Sequence, residues 1–389
     1  MPVTGNLYPF IEYQAQHGLP PLSFLQERFT DIEQWRAETT DYLRSLLLYQ
    51  PEMVDLSPEL ADFAEYPEYT MQKWYITPSP GERMPVLLLA PRGLVAPAPA
   101  MVALHCHGGM YYFGKKKLVE EPNEPTILTR YRQQQYDGVA IAGELARRGY
   151  VVAVSDSFYF GERRIAVPPP REMQRDFLVV AEGSDHWIEL IDQVCAKMEG
   201  TVARALTWAG VTWPGILLWD DMRTVDFLLT RPEVDAERIG AVGLCTGGMR
   251  GALLGALDPR VRAVCIVGWM STLEEMLRDA VGGHSWASII PGLTRVLDWP
   301  DVAALHAPQP LLVMQGSQDA LFSLNGFQKA AERLRAIYAK AGAPGNLDIG
   351  LFDLPHVFSR EMQRQAWEFF DAAFGIERRE MAEAGMLAG

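Results

Sequence analysis

The stretch Ile239-Gly240-Ala241-Val242-Gly243-Leu244-Cys245-Thr246-Gly247-Gly248 holds the clearest chemistry in this chain. An apolar run enters a G-x-C-x-G pentapeptide and leaves in a helix-forming segment. A nucleophile on so sharp a strand-to-helix turn needs glycine neighbours, because side chains there would strike the adjacent strand and helix. The positive end of the helix beneath Cys245 favours a thiolate, and the Thr246 N–H can face a developing oxyanion. Two further strand ends supply partners for such a thiol. Leu312 to Gln315 runs into Gly316-Ser317-Gln318-Asp319, and Phe352-Asp353-Leu354-Pro355 runs into His356. In the order nucleophile, acid, base, His356 takes the thiol proton, and Asp319 fixes the imidazole's tautomer and orientation. Asp353 is a competing acid, ranked below Asp319 because it lies on the strand itself.

Leu104-His105-Cys106-His107-Gly108-Gly109 ends another strand in a loop whose backbone N–H groups can approach a substrate oxygen. Gly108 and Gly109, with Thr246, are the expected oxyanion hole. The clustering of His105, Cys106 and His107 raises a metal reading. On a strand, however, Cys106 points away from the two histidines, and no acidic cluster stands nearby to complete a site. No metal is therefore expected. Tyr111, Tyr159 and Arg163, which follow strand ends, are the expected substrate contacts. Lys115, Lys116 and Lys117 read as a solvated face balanced by Glu120 and Glu121, and Asp156 as a brace between loops. The aromatic stretch from Trp208 to Trp213 is a candidate lid.

The elements that must carry these residues follow from periodicity. Pro20 to Ala64 reads as helical, with Ile32, Trp35, Thr39, Tyr42 and Leu46 forming one stripe. Tyr69–Thr77 and Met84–Ala90 form a hairpin about Pro78-Ser79-Pro80-Gly81. Buried strands follow at Ala100–Cys106, Tyr150–Val154, Ile239–Leu244, Val261–Val267, Pro310–Gln315 and Leu347–Leu354, with helices between them. Such alternation predicts a mostly parallel sheet flanked by helices, with the functional loops at the carboxyl ends of its strands. Residues 1–65 form a helical extension and 66–389 a catalytic domain. Irregular insertions at about 157–213 and 270–306 roof the active edge.

Composition sets the outer bounds. Of 389 residues, 48% are hydrophobic and the formal net charge is −14, which argues against a nucleic-acid partner. Four cysteines are too few and too scattered for a disulfide framework. No apolar run is long enough for a membrane span, and Met1 to Gly18 carries no secretory pattern. A reducing, cytoplasmic setting is the expectation. The expected partner is a small-molecule ester or lactone, and the N-terminal stripe leaves room for a homo-oligomer.

Taken together, the motifs make the chain resemble the dienelactone hydrolase family of the α/β-hydrolase superfamily and its larger acetyl-xylan-esterase-like relatives. The resemblance covers about Tyr69 to Phe374. It rests on His107-Gly108-Gly109, Gly161-Glu162-Arg163, Arg231-Pro232-Glu233-Val234-Asp235 leading into Arg238-Ile239-Gly240, and the Cys245 turn. It implies an α/β-hydrolase fold, a nucleophile at Cys245, an acid at Asp319, a base at His356, no cofactor, and hydrolysis of esters or lactones through a covalent thioester. The larger relatives usually carry serine at the turn; the small cysteine enzymes lack the N-terminal segment and the first insertion. Thioesterase, acyltransferase or cyclase chemistry on the same thiol is the alternative, since the turn also resembles that of polyhydroxyalkanoate synthases. A non-catalytic binding protein on this scaffold is the alternative of another class.

Overall fold

The computed structural model describes residues 2–15 and 18–376; the ends of both expected domains, at residue 1 and at 377–389, lie outside it. Its nine strands are β1 (Glu59–Glu65), β2 (Tyr69–Ile76), β3 (Met84–Pro91), β4 (Ala98–Leu104), β5 (Val151–Ser155), β6 (Val234–Leu244), β7 (Val261–Val267), β8 (Leu311–Gly316) and β9 (Leu347–Phe352). They form one sheet in the order β1-β2-β3-β5-β4-β6-β7-β8-β9. Pairings from β1 to β5 are antiparallel and all the rest are parallel. The expected hairpin is β2–β3.

The helices are α1 (Tyr8–Gln14), α2 (Ile32–Leu47), α3 (Thr126–Tyr136), α4 (Ile141–Arg147), α5 (Gln174–Val179), α6 (Asp185–Trp208), α7 (Trp213–Leu229), α8 (Thr246–Leu257), α9 (Leu273–Glu275), α10 (Trp299–Ala304), α11 (Leu324–Lys340) and α12 (Arg360–Ala373). Helices cover both faces of the parallel strands, so β4, β5 and β8 are buried along their whole length. That is why those segments read as continuous apolar runs rather than alternating ones.

Three expectations are corrected. The helical reading of Pro20–Ala64 holds only for α2; residues 59–65 pair with β2 as an exposed edge strand. Their sequence, Glu-Leu-Ala-Asp-Phe-Ala-Glu, has charges at its ends that suit an edge facing water. Within α2 the buried face runs Trp35, Thr39, Leu43, Leu47 and leaves Tyr42 exposed. That face packs on the molecule's own body: Trp35 joins the main core, Arg36 donates to the Leu305 carbonyl at 3.0 Å and Arg44 to the Leu257 carbonyl at 2.8 Å. Finally, the first insertion is not irregular. It contains α6, a helix of 24 residues capped by Ser184, whose side chain accepts from the Trp187 N–H.

Because β4, β6, β7, β8 and β9 run parallel, their carboxyl ends share one edge of the sheet. Cys245, Asp319, His356 and the His107–Gly109 loop each follow one of those ends.

Candidate active site

Cys245 joins β6 to α8 with φ 58° and ψ −122°, a backbone region that residues other than glycine rarely adopt. Such strain costs of order 1–3 kcal/mol and persists where the surroundings over-determine it. Here the constraints are visible. The Cys245 N–H donates to the Val267 carbonyl at 2.8 Å, and its carbonyl accepts from the Met249 N–H at 3.0 Å. A Cβ on Gly243 would stand 2.4 Å from the Gly247 backbone, and one on Gly247 would stand 2.1 Å from the Leu104 carbonyl oxygen. Both flanking glycines are therefore steric requirements of the turn. Cys245 keeps 9% of its surface exposed, on the floor of a cavity of about 370 Å³.

His356 reaches the same cavity from the loop after β9. The Ser317 N–H donates to the Phe352 carbonyl at 2.7 Å and the Gln318 N–H to the Leu354 carbonyl at 3.1 Å, which ties the β8 and β9 loops together. Nδ1 of His356 donates to Asp319 Oδ2 at 2.6 Å. The same oxygen accepts from Gln315 Nε2 at 2.7 Å, and Oδ1 accepts from the N–H groups of Leu321 at 2.8 Å and Phe322 at 3.2 Å. Burial opposes charge on His356, but Cys245 and Asp319 outweigh it and push its pKa up to about 11. Contrary to expectation, Asp353 lies just beyond β9 rather than on it; it is exposed and accepts from Ser317 and Gln318 instead of from His356.

Gly108, Gly109 and Thr246 all line the cavity. Gly108 has φ +54°, and a Cβ there would meet the Tyr131 hydroxyl at 2.0 Å, so the loop is moulded onto that ring. The Gly109 N–H donates to His107 Nδ1 at 3.0 Å and the Met110 N–H to the His107 carbonyl at 3.3 Å. Gly109 is thereby corrected as an oxyanion donor: its N–H already has a partner. Among the described residues the Gly108 and Thr246 N–H groups have no such partner.

The expected substrate contacts are corrected too. Tyr111 and Tyr159 are each 2% exposed; their hydroxyls donate to Glu199 Oε2 at 2.6 Å and to the Cys195 carbonyl at 2.8 Å. Arg163 is ion-paired with Asp220. None of the three lines the cavity. Trp208 is 93% exposed and lies outside the cavity as well. Asp156 is the brace expected of it, accepting from the Lys115 N–H and Nζ, both at 2.7 Å, and from the Glu162 N–H at 3.0 Å. Lys115 and Lys117 are buried, against the expectation of a solvated face.

Sequence reasoning missed the walls of the cavity: His107, Gln135, Glu199, Trp269, His284, Ser285 and Leu321. Glu199 comes from α6 and Ser285 from the second insertion, so the two insertions do meet over the active edge. Burial raises the Glu199 pKa, but His107 Nε2 at 3.7 Å, the Ser285 hydroxyl and the Tyr111 hydroxyl outweigh it and bring it down to about 2. Four side-chain nitrogens in these walls, His107 Nε2, Trp269 Nε1, His284 Nε2 and His356 Nε2, are buried without a hydrogen-bond partner among the described residues. Two of them already serve the site: His107 Nε2 stands 3.7 Å from Glu199, and His356 carries the nitrogen that faces the thiol. No cluster of three or more metal-ligating side chains occurs among the described residues.

A strained turn on the central strand, a histidine after the last strand and an acid after the one before it define the α/β-hydrolase class, and solved structures agree on the fold. A Bacteroides fragilis protein described as an acetyl xylan esterase aligns with a TM-score of 0.67 at 19% identity, over 89% of this chain and 82% of that one. A glucuronoyl esterase from Solibacter usitatus aligns with a TM-score of 0.63 at 14% identity, over 94% of this chain and 100% of that one. In sequence, YtaP of Bacillus subtilis (strain 168), named as a hydrolase, is 25% identical over 310 residues, 79% of this chain and 89% of that protein. The dienelactone hydrolase family model matches residues 134–364, and the chain belongs to that family. It is an ester hydrolase.

Proposed function

We infer that this enzyme hydrolyses neutral, polar carboxylic esters or lactones through a Cys245–His356–Asp319 triad and a thioester intermediate. One observation carries the reading. The strained Cys245 and His356 line one cavity, and the far nitrogen of that imidazole donates to a carboxylate holding three other donors. His356, held protonated by Cys245 and Asp319, keeps the thiol's proton on Nε2, and the Cys245 thiolate attacks the ester carbonyl. The tetrahedral oxyanion is held by the N–H groups of Gly108 and Thr246, and each such donor is worth about 10²–10³ in rate. His356 then protonates the leaving alcohol and later activates water to release the acid.

The cavity walls restrict the substrate. Among the described residues they include the carboxylate of Glu199 and no lysine or arginine, so an anionic acyl group meets repulsion. The unpartnered indole N–H of Trp269 suits an additional oxygen acceptor on the substrate. The names of the structural neighbours, esterases of acetylated or glucuronoyl carbohydrates, agree with an oxygen-rich ester. The test is Cys245→Ala assayed on p-nitrophenyl acetate with the fold monitored by circular dichroism. The expected result is loss of turnover in a folded protein; undiminished turnover overturns the nucleophile.

A further inference from the structure

Lys117 is wholly buried, and among the described residues no carboxylate lies within ion-pairing distance of its ammonium. An unpaired charge in the interior costs several kcal/mol, so its retention calls for a reason. Its Nζ donates to the carbonyls of Cys106 at 2.8 Å and His107 at 2.9 Å. It also lies 4.9 Å from the ring centroid of Phe160 and 5.3 Å from that of Tyr131, where the π faces supply further attraction.

The His107 carbonyl is one end of a peptide unit whose other end is the Gly108 N–H. A cation on that oxygen draws electron density through the amide resonance and makes the N–H a stronger donor. We propose that Lys117 is a positioning residue of the oxyanion hole, holding the oxyanion loop by two carbonyls and charging the Gly108 N–H through the His107–Gly108 peptide. The proposal rests on the triad reading given above. Tyr131 completes the clamp from the other side: its hydroxyl contacts Cys106 Sγ at 2.8 Å and fills the space beside Gly108.

The surroundings make the charge separable from the geometry. Burial is the largest influence on Lys117 and pulls its pKa down to about 8, with Cys106, Asp192, Asp156 and Cys245 pulling the other way. Other titratable groups near it have their own partners or are held neutral. Asp156 is paired with Lys115, Arg250 with Asp221, and Asp192 caps the Tyr111 and Tyr112 N–H groups. His105 is kept uncharged chiefly by burial, and burial chiefly raises the pKa values of Tyr131 and Tyr136. A neutral amine still has two N–H donors for the two carbonyls. Raising the pH through about 8 therefore removes the charge and keeps the loop in place, whereas His356 loses its proton only near 11.

The experiment compares kcat and KM for p-nitrophenyl acetate in the wild type, Lys117→Met and Cys245→Ala. For the wild type, kcat is expected to fall about tenfold from about pH 7 to about pH 9.5 with KM within about twofold. Lys117→Met is expected to lose about 10- to 100-fold in kcat at about pH 7, keep KM within about threefold, and show no alkaline limb. Wild-type kcat in the variant, or an unchanged limb near pH 8 in it, overturns the proposal. If the variant does not fold, the wild-type profile decides: a flat kcat up to about pH 9.5 overturns it, and a limb near 8 supports it. Inactive Cys245→Ala beside wild-type behaviour of Lys117→Met removes the Lys117 role alone. Full turnover in Cys245→Ala removes the triad reading, and the proposal with it.

Discussion

Replacing Asp319 with asparagine tests the triad at its most constrained atom. The new amide must place its oxygen where Oδ1 stands, because the N–H groups of Leu321 and Phe322 point there from 2.8 and 3.2 Å. Its NH₂ then takes the position of Oδ2, 2.6 Å from His356 Nδ1 and 2.7 Å from Gln315 Nε2. Gln315 can turn over and accept, since its buried Oε1 has no partner among the described residues. His356 has one remaining choice: it gives up the proton on Nδ1 and carries it on Nε2, the nitrogen that should receive the thiol proton. In a serine triad the same change of tautomer lowers kcat by about 10⁴, equivalent to about 5 kcal/mol of transition-state stabilisation. The expected loss here is of that order near neutral pH. It shrinks as pH rises, because hydroxide can take the thiol proton without help from His356. The assay is stopped-flow acylation by p-nitrophenyl acetate under single-turnover conditions across a pH series. Asp319→Asn within about tenfold of the wild type at neutral pH refutes the assignment of acid and base. A stability change accompanies it. The folded pKa of His356 is raised from 6.5 to about 11, so its stabilising contribution is full below about pH 6.5 and is lost as pH rises toward 11. The variant's deficit in Tm should be largest at the acid end of that window.

Iodoacetamide should label Cys245 before the other three thiols, as read by peptide mass spectrometry over time. Burial pushes the Cys195 pKa up to about 12 and raises that of Cys265, while Cys106 Sγ is enclosed by the hydroxyls of Tyr131 at 2.8 Å and Tyr136 at 3.0 Å. Equal labelling at all four sites would contradict an accessible, activated thiolate at Cys245. Glu199→Gln should shift the ratio of kcat/KM for mono-p-nitrophenyl succinate over p-nitrophenyl butyrate by about tenfold toward the anion, the effect of removing about 1.4 kcal/mol of repulsion. An unchanged ratio would separate Glu199 from substrate selection.

The amino-acid order alone determined the sheet and the catalytic edge. Continuous apolar runs such as Ala100–Leu104 and Leu311–Met314 are those of strands buried on both faces, and parallel strands bring their carboxyl ends together. The placement of Cys245, Asp319 and His356 at one edge was legible because each follows one of those ends and because glycines with a steric purpose flank the turn. The edge strand at Glu59–Glu65 was not legible, since exposed residues carry no burial pattern to read. Nor were the cavity walls. Glu199 lies within a long amphipathic helix, and nothing local distinguishes it from the solvated carboxylates beside it. Its pKa and its place in the site come from Tyr111, His107 and Ser285, three residues distant in sequence. The same holds for the three consecutive lysines. Lys116 pairs with Glu121 at 2.6 Å, while Lys115 and Lys117 are carried inside by one turn of 3₁₀ helix. Whether a charge faces water or an oxyanion loop depends on which surfaces close over it, and only the packed tertiary structure decides that.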